Sequence, residues 1–229
     1  KPSWAVFLYS DEKGTGKSTI ANVARSLFGS ANTASINGVK KLVGRFNKNI
    51  LEKKLVIAEE VQIRPNSDHG NALKDIITSD FATVEQKGKD TEEIQHKSCF
   101  ILTTNHKPIW LEGKERRYYI LHISHDGHNQ GAEYEVFKSL VKQVNQEIAD
   151  PDALANIYGA LMKRELPAEF DAHSLDFERH ATAVMREIEG LSPDATRQVL
   201  DELFEYYNVR AIPNVELPRL MQHFRIGSM

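Results

Sequence analysis

A glycine-rich stretch near the beginning of the chain carries the residue types that bind phosphate groups. Residues 11–19 read DEKGTGKST and satisfy the end of the pattern G-x-x-x-x-G-K-[ST]. Gly14 and Gly16 leave the backbone open for close approach to phosphate oxygens. Lys17 can neutralise the β and γ phosphates of a nucleotide, and Ser18 can offer its hydroxyl to Mg²⁺. The predicted nucleotide contacts are Gly14, Thr15, Gly16, Lys17, Ser18 and Thr19.

The first glycine of the pattern is replaced by Asp11, and Glu12 follows it. That glycine mainly eases the exit from the preceding strand, so its replacement leaves the phosphate contacts in place. Two carboxylates beside a phosphate site are tolerable only where both point to solvent, and we expect this of Asp11 and Glu12. A glycine-rich hairpin turn without a ligand is the alternative interpretation, which the flanking strand and helix argue against.

Polar residues follow two further apolar runs, residues 55–58 and 100–104. The carboxyl edge of an open α/β sheet is where such folds bind ligands, so residues that end parallel strands there can meet. We assign Glu59 to Mg²⁺ and Glu60 to the attacking water, with the reverse order left open. Asn105 can bond the same water or the γ phosphate. The alternatives are an exposed acidic turn and a lone turn asparagine.

Two basic pairs lie further along the chain. Arg116 and Arg117 precede an apolar run, where a guanidinium could stabilise transition-state charge in its own subunit or in a neighbour. Lys87 and Lys89 stand at the tip of a predicted β-hairpin, where they could hold phosphates of single-stranded nucleic acid. A surface basic pair and a solvated turn are the alternatives.

Other chemically interesting side chains are interpreted as structural. His122, His125 and His128 are spaced by three, but they lack the fuller ligand set of a zinc site. Cys99 lies in an apolar run and is expected to be an inert buried thiol. It is the single cysteine, so no internal disulfide can form, which fits a reducing cytoplasm. We therefore expect a cytoplasmic protein, in the host cell if it is viral.

The elements that must position these residues alternate between strand and helix. Continuous apolar runs predict buried strands, and a 3.6-residue period predicts helices. Strands are predicted at residues 4–9, 55–58, 100–104 and 116–124, a hairpin at 81–94, and helices at 17–28, with Gly29 ending it, 39–51 and 71–78. Buried strands joined by helical connections indicate an α/β fold with a parallel sheet flanked by helices.

The chain becomes mainly helical after about residue 128. Helices are predicted at residues 132–148, 151–163, 177–189 and 192–207, the last with a Ser-Pro-Asp start at residues 192–194. We therefore predict a core at residues 1–128 and a helical extension at 129–229. Residues 214–224 could begin a small helix-turn-helix or winged-helix unit, although a packing helix is the more favoured interpretation.

Composition restricts the functional classes. The 229 residues are 41% hydrophobic and carry a net charge of -3, which disfavours a disordered or membrane-spanning chain. Bulk charge does not indicate nucleic-acid binding, because residues 1–150 are nearly neutral and residues 151–229 are acidic. A local basic feature would be needed.

Four motifs in order resemble a known family. DEKGTGKST, LVIAEE, the segment from TVEQKGKD to SCFILTTN, and ERRYYI are together similar to superfamily-3 helicase domains of viruses, phages and plasmids. The likeness is greatest to phage and plasmid primase-helicases and extends to parvovirus Rep helicases, over roughly residues 4–123. Asp11, and a glutamate where many relatives have aspartate in the Walker B strand, depart from the family pattern.

The resemblance implies a P-loop ATPase of the AAA+ type that uses ATP and Mg²⁺. Such proteins assemble as rings, usually hexamers, around single-stranded DNA. Lys17 and Ser18 would be Walker A, Glu59 and Glu60 Walker B, and Asn105 the sensor. Lys87 would feed the DNA-contacting hairpin, and Arg117, or else Arg116, would be the arginine finger. Since relatives carry a collar or a primase upstream, we expect a piece of a longer protein.

The resulting hypothesis is an ATP-dependent DNA helicase or translocase of phage or plasmid replication, without a membrane partner. One alternative is another AAA+ or P-loop ATPase, such as a loader, a remodeller or a small-molecule kinase. A non-enzymatic, ATP-regulated DNA-binding module is the other.

Overall fold

The computed structural model describes most of the chain up to residue 191. The described residues are 1–44, 46–63, 67–85, 90–108 and 114–191, with isolated positions at 200, 203–204, 213, 215–216 and 219. The strands are β1 (Ala5–Tyr9), β2 (Thr33–Asn37), β3 (Leu55–Glu59), β4 (Phe81–Val84), β5 (Glu92–Gln95), β6 (Cys99–Thr104) and β7 (Tyr118–His122). The helices are α1 (Lys17–Phe28), α2 (Lys48–Leu51), α3 (Asp68–Thr78), α4 (Tyr134–Ala149), α5 (Pro151–Met162), α6 (Phe177–His180) and α7 (Ala183–Leu191).

Five strands form one sheet in the order β2-β3-β6-β1-β7, and every pair is parallel. The predicted α/β class with a parallel sheet is confirmed. β1 and β3 are buried almost along their whole length because helices cover both faces, which explains their continuous apolar runs. Tyr9 of β1 lies beside Thr104 of β6 and His122 of β7, so the carboxyl ends of these three strands are level. We call this end of the sheet, with the end of β3 at Glu59, the carboxyl edge.

The predicted hairpin is confirmed on its two strands. β4 and β5 pair antiparallel, with Phe81 opposite Gln95 and Val84 opposite Glu92. Residues 86–89, which would form the tip, lie outside the described residues. The hairpin precedes β6 in sequence, as the motif order requires.

The helix predicted at residues 39–51 is wrong for most of its length. Only Lys48–Leu51 is helical, and the preceding residues form turns. Gly44 interrupts the pattern, since a Cβ there would lie 2.7 Å from the Lys40 carbonyl oxygen. Asn47 then donates its side-chain N–H to the Leu42 carbonyl at 2.7 Å, which replaces a helical backbone bond.

β2 was not predicted, and one predicted helix is divided in two. β2 is a partly exposed edge strand of sequence TASIN, held by pairing to β3 rather than by its own propensity. The helix expected at 177–189 breaks between α6 and α7, where the Thr182 hydroxyl donates to the Ile120 carbonyl of β7 at 2.6 Å. The helix predicted at 192–207 lies almost entirely outside the described residues, and so does the unit at 214–224.

The described C-terminal residues pack on the sheet. Val184, Met185 and Ile188 of α7 belong to the same buried cluster as Phe7 of β1 and Ile120 of β7. The boundary at residue 128 stays a prediction, but α7 is part of the core that holds β1 in place. Within the described part of the chain, no helix is both long and apolar enough to cross a membrane.

Candidate functional site

A cavity of about 300 Å³ opens at the carboxyl edge. It gathers residues from the glycine-rich loop, the ends of β3 and β6, and helix α4. Its lining comprises Lys13, Gly14, Thr15, Gly16, Lys17, Ser18, Thr19, Glu59, Glu60, Thr103, Asn105, Phe137 and Val141. Nine of the predicted site residues therefore share one cavity, although they come from three separate parts of the sequence.

Two glycines of the loop have backbone conformations that require glycine. Gly14 has φ 75° and Gly16 has φ 93°, in the left-handed region that only glycine adopts without strain. A Cβ at either position would meet no atom within 4 Å, so the space beside them is open to a ligand. Both glycines thus allow the backbone turn of the loop, and their lack of a side chain leaves space for a ligand beside it.

Helix α1 begins at Lys17 and points its N-terminus into the cavity. Gly16 is the N-cap residue, and no side chain caps the helix by a hydrogen bond. The first N–H groups of a helix have no partner within the helix, and the helix dipole adds partial positive charge there. A phosphate group is the chemical partner that suits such an end.

Lys17 is held at the base of the loop. Its Nζ donates to the Glu12 carbonyl at 3.2 Å and to the Thr15 hydroxyl at 3.3 Å, and the residue is buried. Burial lowers the pKa of this ammonium, and the nearby Asp11 carboxylate partly opposes that change. A phosphate group bound in the cavity would stabilise the charged form of the Lys17 ammonium.

Glu59 and Glu60 stand at the end of β3 in different conformations. Glu59 is half-buried, and its carbonyl accepts from the Gly38 N–H at 2.7 Å. Glu60 is exposed with φ 53°, which is uncommon for a residue other than glycine. The next residue, Val61, donates its N–H to the Thr103 carbonyl at 2.8 Å. Backbone hydrogen bonds on the residues before and after Glu60 therefore fix its unusual conformation.

Asn105 and Thr103 complete the cavity from β6. Asn105 follows the strand directly, as predicted, and lines the cavity with the two glutamates. Thr103 is buried and was not predicted, because inside an apolar strand it has no separate sequence signal. Oxygen ligands suit Mg²⁺. Among the described residues, no group of three His, Cys, Asp or Glu side chains could hold a metal. The Ser18 hydroxyl and the Glu59 carboxylate are oxygen groups that line this cavity.

The loop acids do not extend freely into solvent. Asp11 and Glu12 have 72% and 54% of their side chains exposed, yet Asp11 lies 3.5 Å from His122 and Glu12 lies 2.9 Å from His125. A hydrogen bond with the backbone and one with His122 lower the pKa of the Asp11 carboxyl. His128 instead pairs with Glu133. The three evenly spaced histidines therefore face three different carboxylates.

Helix α4 brings two apolar residues that the sequence interpretation missed. Phe137 and Val141, one turn apart, line the cavity opposite the loop. The four-residue spacing was a possible signal, but the same spacing describes any amphipathic helix. These side chains provide an apolar wall of the kind that an aromatic base can contact.

The two predicted arginines lie away from this cavity. Arg117 precedes β7 and its carbonyl accepts from Ala5 N–H at 2.8 Å, at the amino end of the parallel sheet. Five strand residues separate that end from the loop, roughly 16 Å. Arg117 also donates to the buried Glu115 carboxylate at 3.2 Å, whereas Arg116 is exposed. Both residues therefore lie at the end of the sheet opposite the cavity.

Two predicted site residues, Lys87 and Lys89, lie outside the described residues.

The size of a cavity does not by itself identify the candidate site. A larger cavity of about 610 Å³ lies between α3 and the β4–β5 hairpin, with Asp75 and Glu85 in its wall. Its wall includes none of the residues of the glycine-rich loop, whereas the smaller cavity is lined by Gly14, Gly16 and Lys17.

Sequence comparison gives one family match. Residues 8–117 match a family of unknown function, DUF5906. This segment contains the loop, β3, β6 and both arginines. No curated protein matches the sequence.

Structure comparison gives several similar folds. One apo structure of the C-terminal region of NrS-1 (residues 305–718, A form) matches with a TM-score of 0.55 at 18% identity, over 99% of this chain and 55% of that one. Two further apo structures of the region match with TM-scores of 0.52 and 0.53 at 18% and 15% identity. They cover 98% of this chain and 54% of theirs. This chain therefore has the fold of about half of that region.

Proposed function

We propose that this chain is the ATPase part of a replication motor that moves along single-stranded DNA. The observation that carries the proposal is the convergence of the loop, Glu59, Glu60 and Asn105 in one cavity at the N-terminus of α1. A phosphate-binding loop alone supports nucleotide binding, whereas carboxylates opposite it support hydrolysis. The order of motifs and its resemblance to superfamily-3 helicases support the movement on DNA.

The proposed chemistry is attack of water on the γ phosphorus of ATP. Lys17 and the N–H groups at the start of α1 neutralise the phosphate oxygens. Glu60 accepts the proton of the water, and Asn105 orients it. Mg²⁺, when bound through Ser18 and Glu59, supplies charge that stabilises the leaving phosphates. ADP and inorganic phosphate are the products.

The proposal also assigns a role to the distant arginines. A guanidinium at the amino end of the sheet could complete the site of a neighbouring subunit in a ring. Arg116 suits this role better than Arg117, because it is exposed and Arg117 already neutralises Glu115. The apolar wall of Phe137 and Val141 suits the adenine base.

ATP hydrolysis measured with and without single-stranded DNA, beside the mass of the oligomer, tests the proposal. We expect DNA to stimulate hydrolysis. Glu60→Gln should lower the hydrolysis rate by roughly 10²-fold or more while ATP still binds, since a general base contributes about that much. Lys17→Ala should abolish ATP binding, and Lys163→Ala, at the exposed end of α5, is the matched lysine control.

The outcomes separate the competing functions. Hydrolysis that DNA does not change, in a sample shown to be oligomeric, would favour a loader, a remodeller or another P-loop enzyme. Phosphoryl transfer to a small acceptor would indicate a kinase. Binding of ATP without hydrolysis would favour a regulated binding module.

A further inference from the structure

Glu12 is held at three points although it stands at the edge of a phosphate site. Its backbone N–H donates to the buried Ser10 hydroxyl at 3.1 Å, and its carbonyl accepts from Lys17 Nζ at 3.2 Å. Its carboxylate lies 2.9 Å from Nε2 of His125. The residue is thus tied to the strand end, to the phosphate-facing lysine and to the segment after β7.

His125 presents a defined hydrogen-bond donor to Glu12. The Gly127 N–H donates to Nδ1 of His125 at 3.2 Å, so Nδ1 acts as an acceptor and the proton is on Nε2. The imidazole is buried, and its ring packs edge-on against Phe137 with 6.3 Å between the centroids. Phe137 lines the cavity, so the ring is fixed between the loop and α4.

The position of the Glu12 carboxylate affects how well the cavity can bind an anionic ligand. Glu12 precedes Lys13, which lines the cavity, while Glu12 itself is not part of the lining. A carboxylate released from His125 could approach the phosphates, and like charges within several ångströms repel by on the order of 1 kcal/mol or more near a protein surface.

We propose that His125 is a positioning residue of the phosphate loop, which holds the Glu12 carboxylate away from the phosphates and keeps the Glu12 carbonyl on Lys17. The inference rests on the proposed nucleotide site. His125 contacts no phosphate itself and acts through Glu12. The histidine therefore compensates for the acid that follows the missing first glycine.

Binding of ADP measured by titration, with Mg²⁺ present, tests the role of His125. His125→Phe keeps the ring against Phe137 but removes the donor, and we expect the dissociation constant to rise by roughly fivefold or more, as repulsion of that size implies. Glu12→Ala should bind ADP within about twofold of the unchanged protein, because the Lys17 contact is to the backbone. The double variant should bind like Glu12→Ala, since the released carboxylate is gone.

A matched control and a conservative variant sharpen the test. His128→Phe removes another histidine–carboxylate pair from the same segment, with Glu133, which does not touch the loop, and should leave ADP binding unchanged. His125→Gln retains a donor and should keep most of the affinity. If His125→Phe fails to fold, His125→Asn, too short to reach Glu12, replaces it.

The outcomes distinguish a failure of the inference about His125 from a failure of the proposed nucleotide site. Weak ADP binding by the double variant, equal to that of His125→Phe, would show a purely structural histidine and overturn the inference. So would unchanged binding by His125→Phe. If the unchanged protein binds no ADP at all, the proposed function fails instead.

Discussion

Glu60 shows how one residue can combine strain with chemistry. Its φ of 53° places a charged side chain in a backbone region that suits glycine, at the point where β3 delivers acids to the cavity. Such conformations cost about 1–3 kcal/mol and persist where the surroundings impose them. Here the two backbone bonds made by Glu59 and Val61 impose it. The strained turn therefore holds Glu60 at the cavity, where the proposed mechanism requires it.

Replacing Glu60 by glycine should therefore separate stability from activity. We expect Glu60→Gly to raise the free energy of unfolding by up to about 1 kcal/mol, because glycine accepts this φ without strain. Hydrolysis should be lost, since the proposed general base is removed. Chemical denaturation and an ATPase assay measure the two effects. Lys114→Gly, at φ 52° and outside the cavity lining, is the control and should gain stability without losing hydrolysis.

At the scale of elements, the segment joining the hairpin to β6 carries a buried histidine. His96 is 2% exposed, and its ring packs edge-on against Phe100. Burial, and then the charge of Lys1, lower the pKa of His96 from 6.5 to about 4. The imidazole is therefore neutral in the folded protein near neutral pH.

The stability of the fold should fall in mild acid because of this histidine. The unfolded chain takes up the His96 proton first as the pH falls, so stability present above pH 6.5 is lost between pH 6.5 and about 4. By pH 5 the loss should be on the order of 2 kcal/mol. Denaturant unfolding at pH 7, 6 and 5 measures it. His96→Phe, which keeps the ring, should flatten this dependence, and an unchanged slope would contradict the assignment.

At the scale of the whole molecule, the arginines and the cavity lie at opposite ends of one parallel sheet. Arg117 pairs with the buried Glu115, so its removal would leave a buried carboxylate unpaired and would confuse stability with catalysis. Arg116 is exposed and leaves a cleaner test. If the arginine completes a neighbour's site, catalysis belongs to the assembly rather than to one chain.

Mixing two inactive variants tests this arrangement. Lys17→Ala lacks its own phosphate contact but keeps Arg116, while Arg116→Ala keeps its loop. Each alone should lose hydrolysis, Arg116→Ala by about 10³-fold or more, as arginine fingers do. The mixture should regain part of the activity at interfaces that combine an intact loop with an intact arginine. No recovery, with mixed oligomers demonstrated by mass, would exclude an arginine acting between subunits.

The sequence patterns predicted those strands and helices whose own residues favour that structure, and they missed the elements held by contacts with distant residues. The strand–loop–helix unit was placed correctly because a buried strand, left-handed glycines and an amphipathic helix each have their own sequence signature. β2 was missed because its polar, partly exposed residues are held by β3. The helix expected at 39–51 failed because Gly44 and Asn47 favour turns over the apolar period.

The sequence by itself determined which chemical groups were available: a glycine-rich loop with a lysine, paired acids, an asparagine and basic pairs, each predicted at the end of an element. Backbone preferences and hydrophobic periodicity act over a few residues, so they are readable along the chain. The tertiary structure decided which of these groups meet. Sheet order brings Glu59, Glu60 and Asn105 to Lys17, sends Arg116 and Arg117 to the other end, and sets His125 against Glu12. Those relations depend on strand pairing between distant segments, which local patterns do not encode.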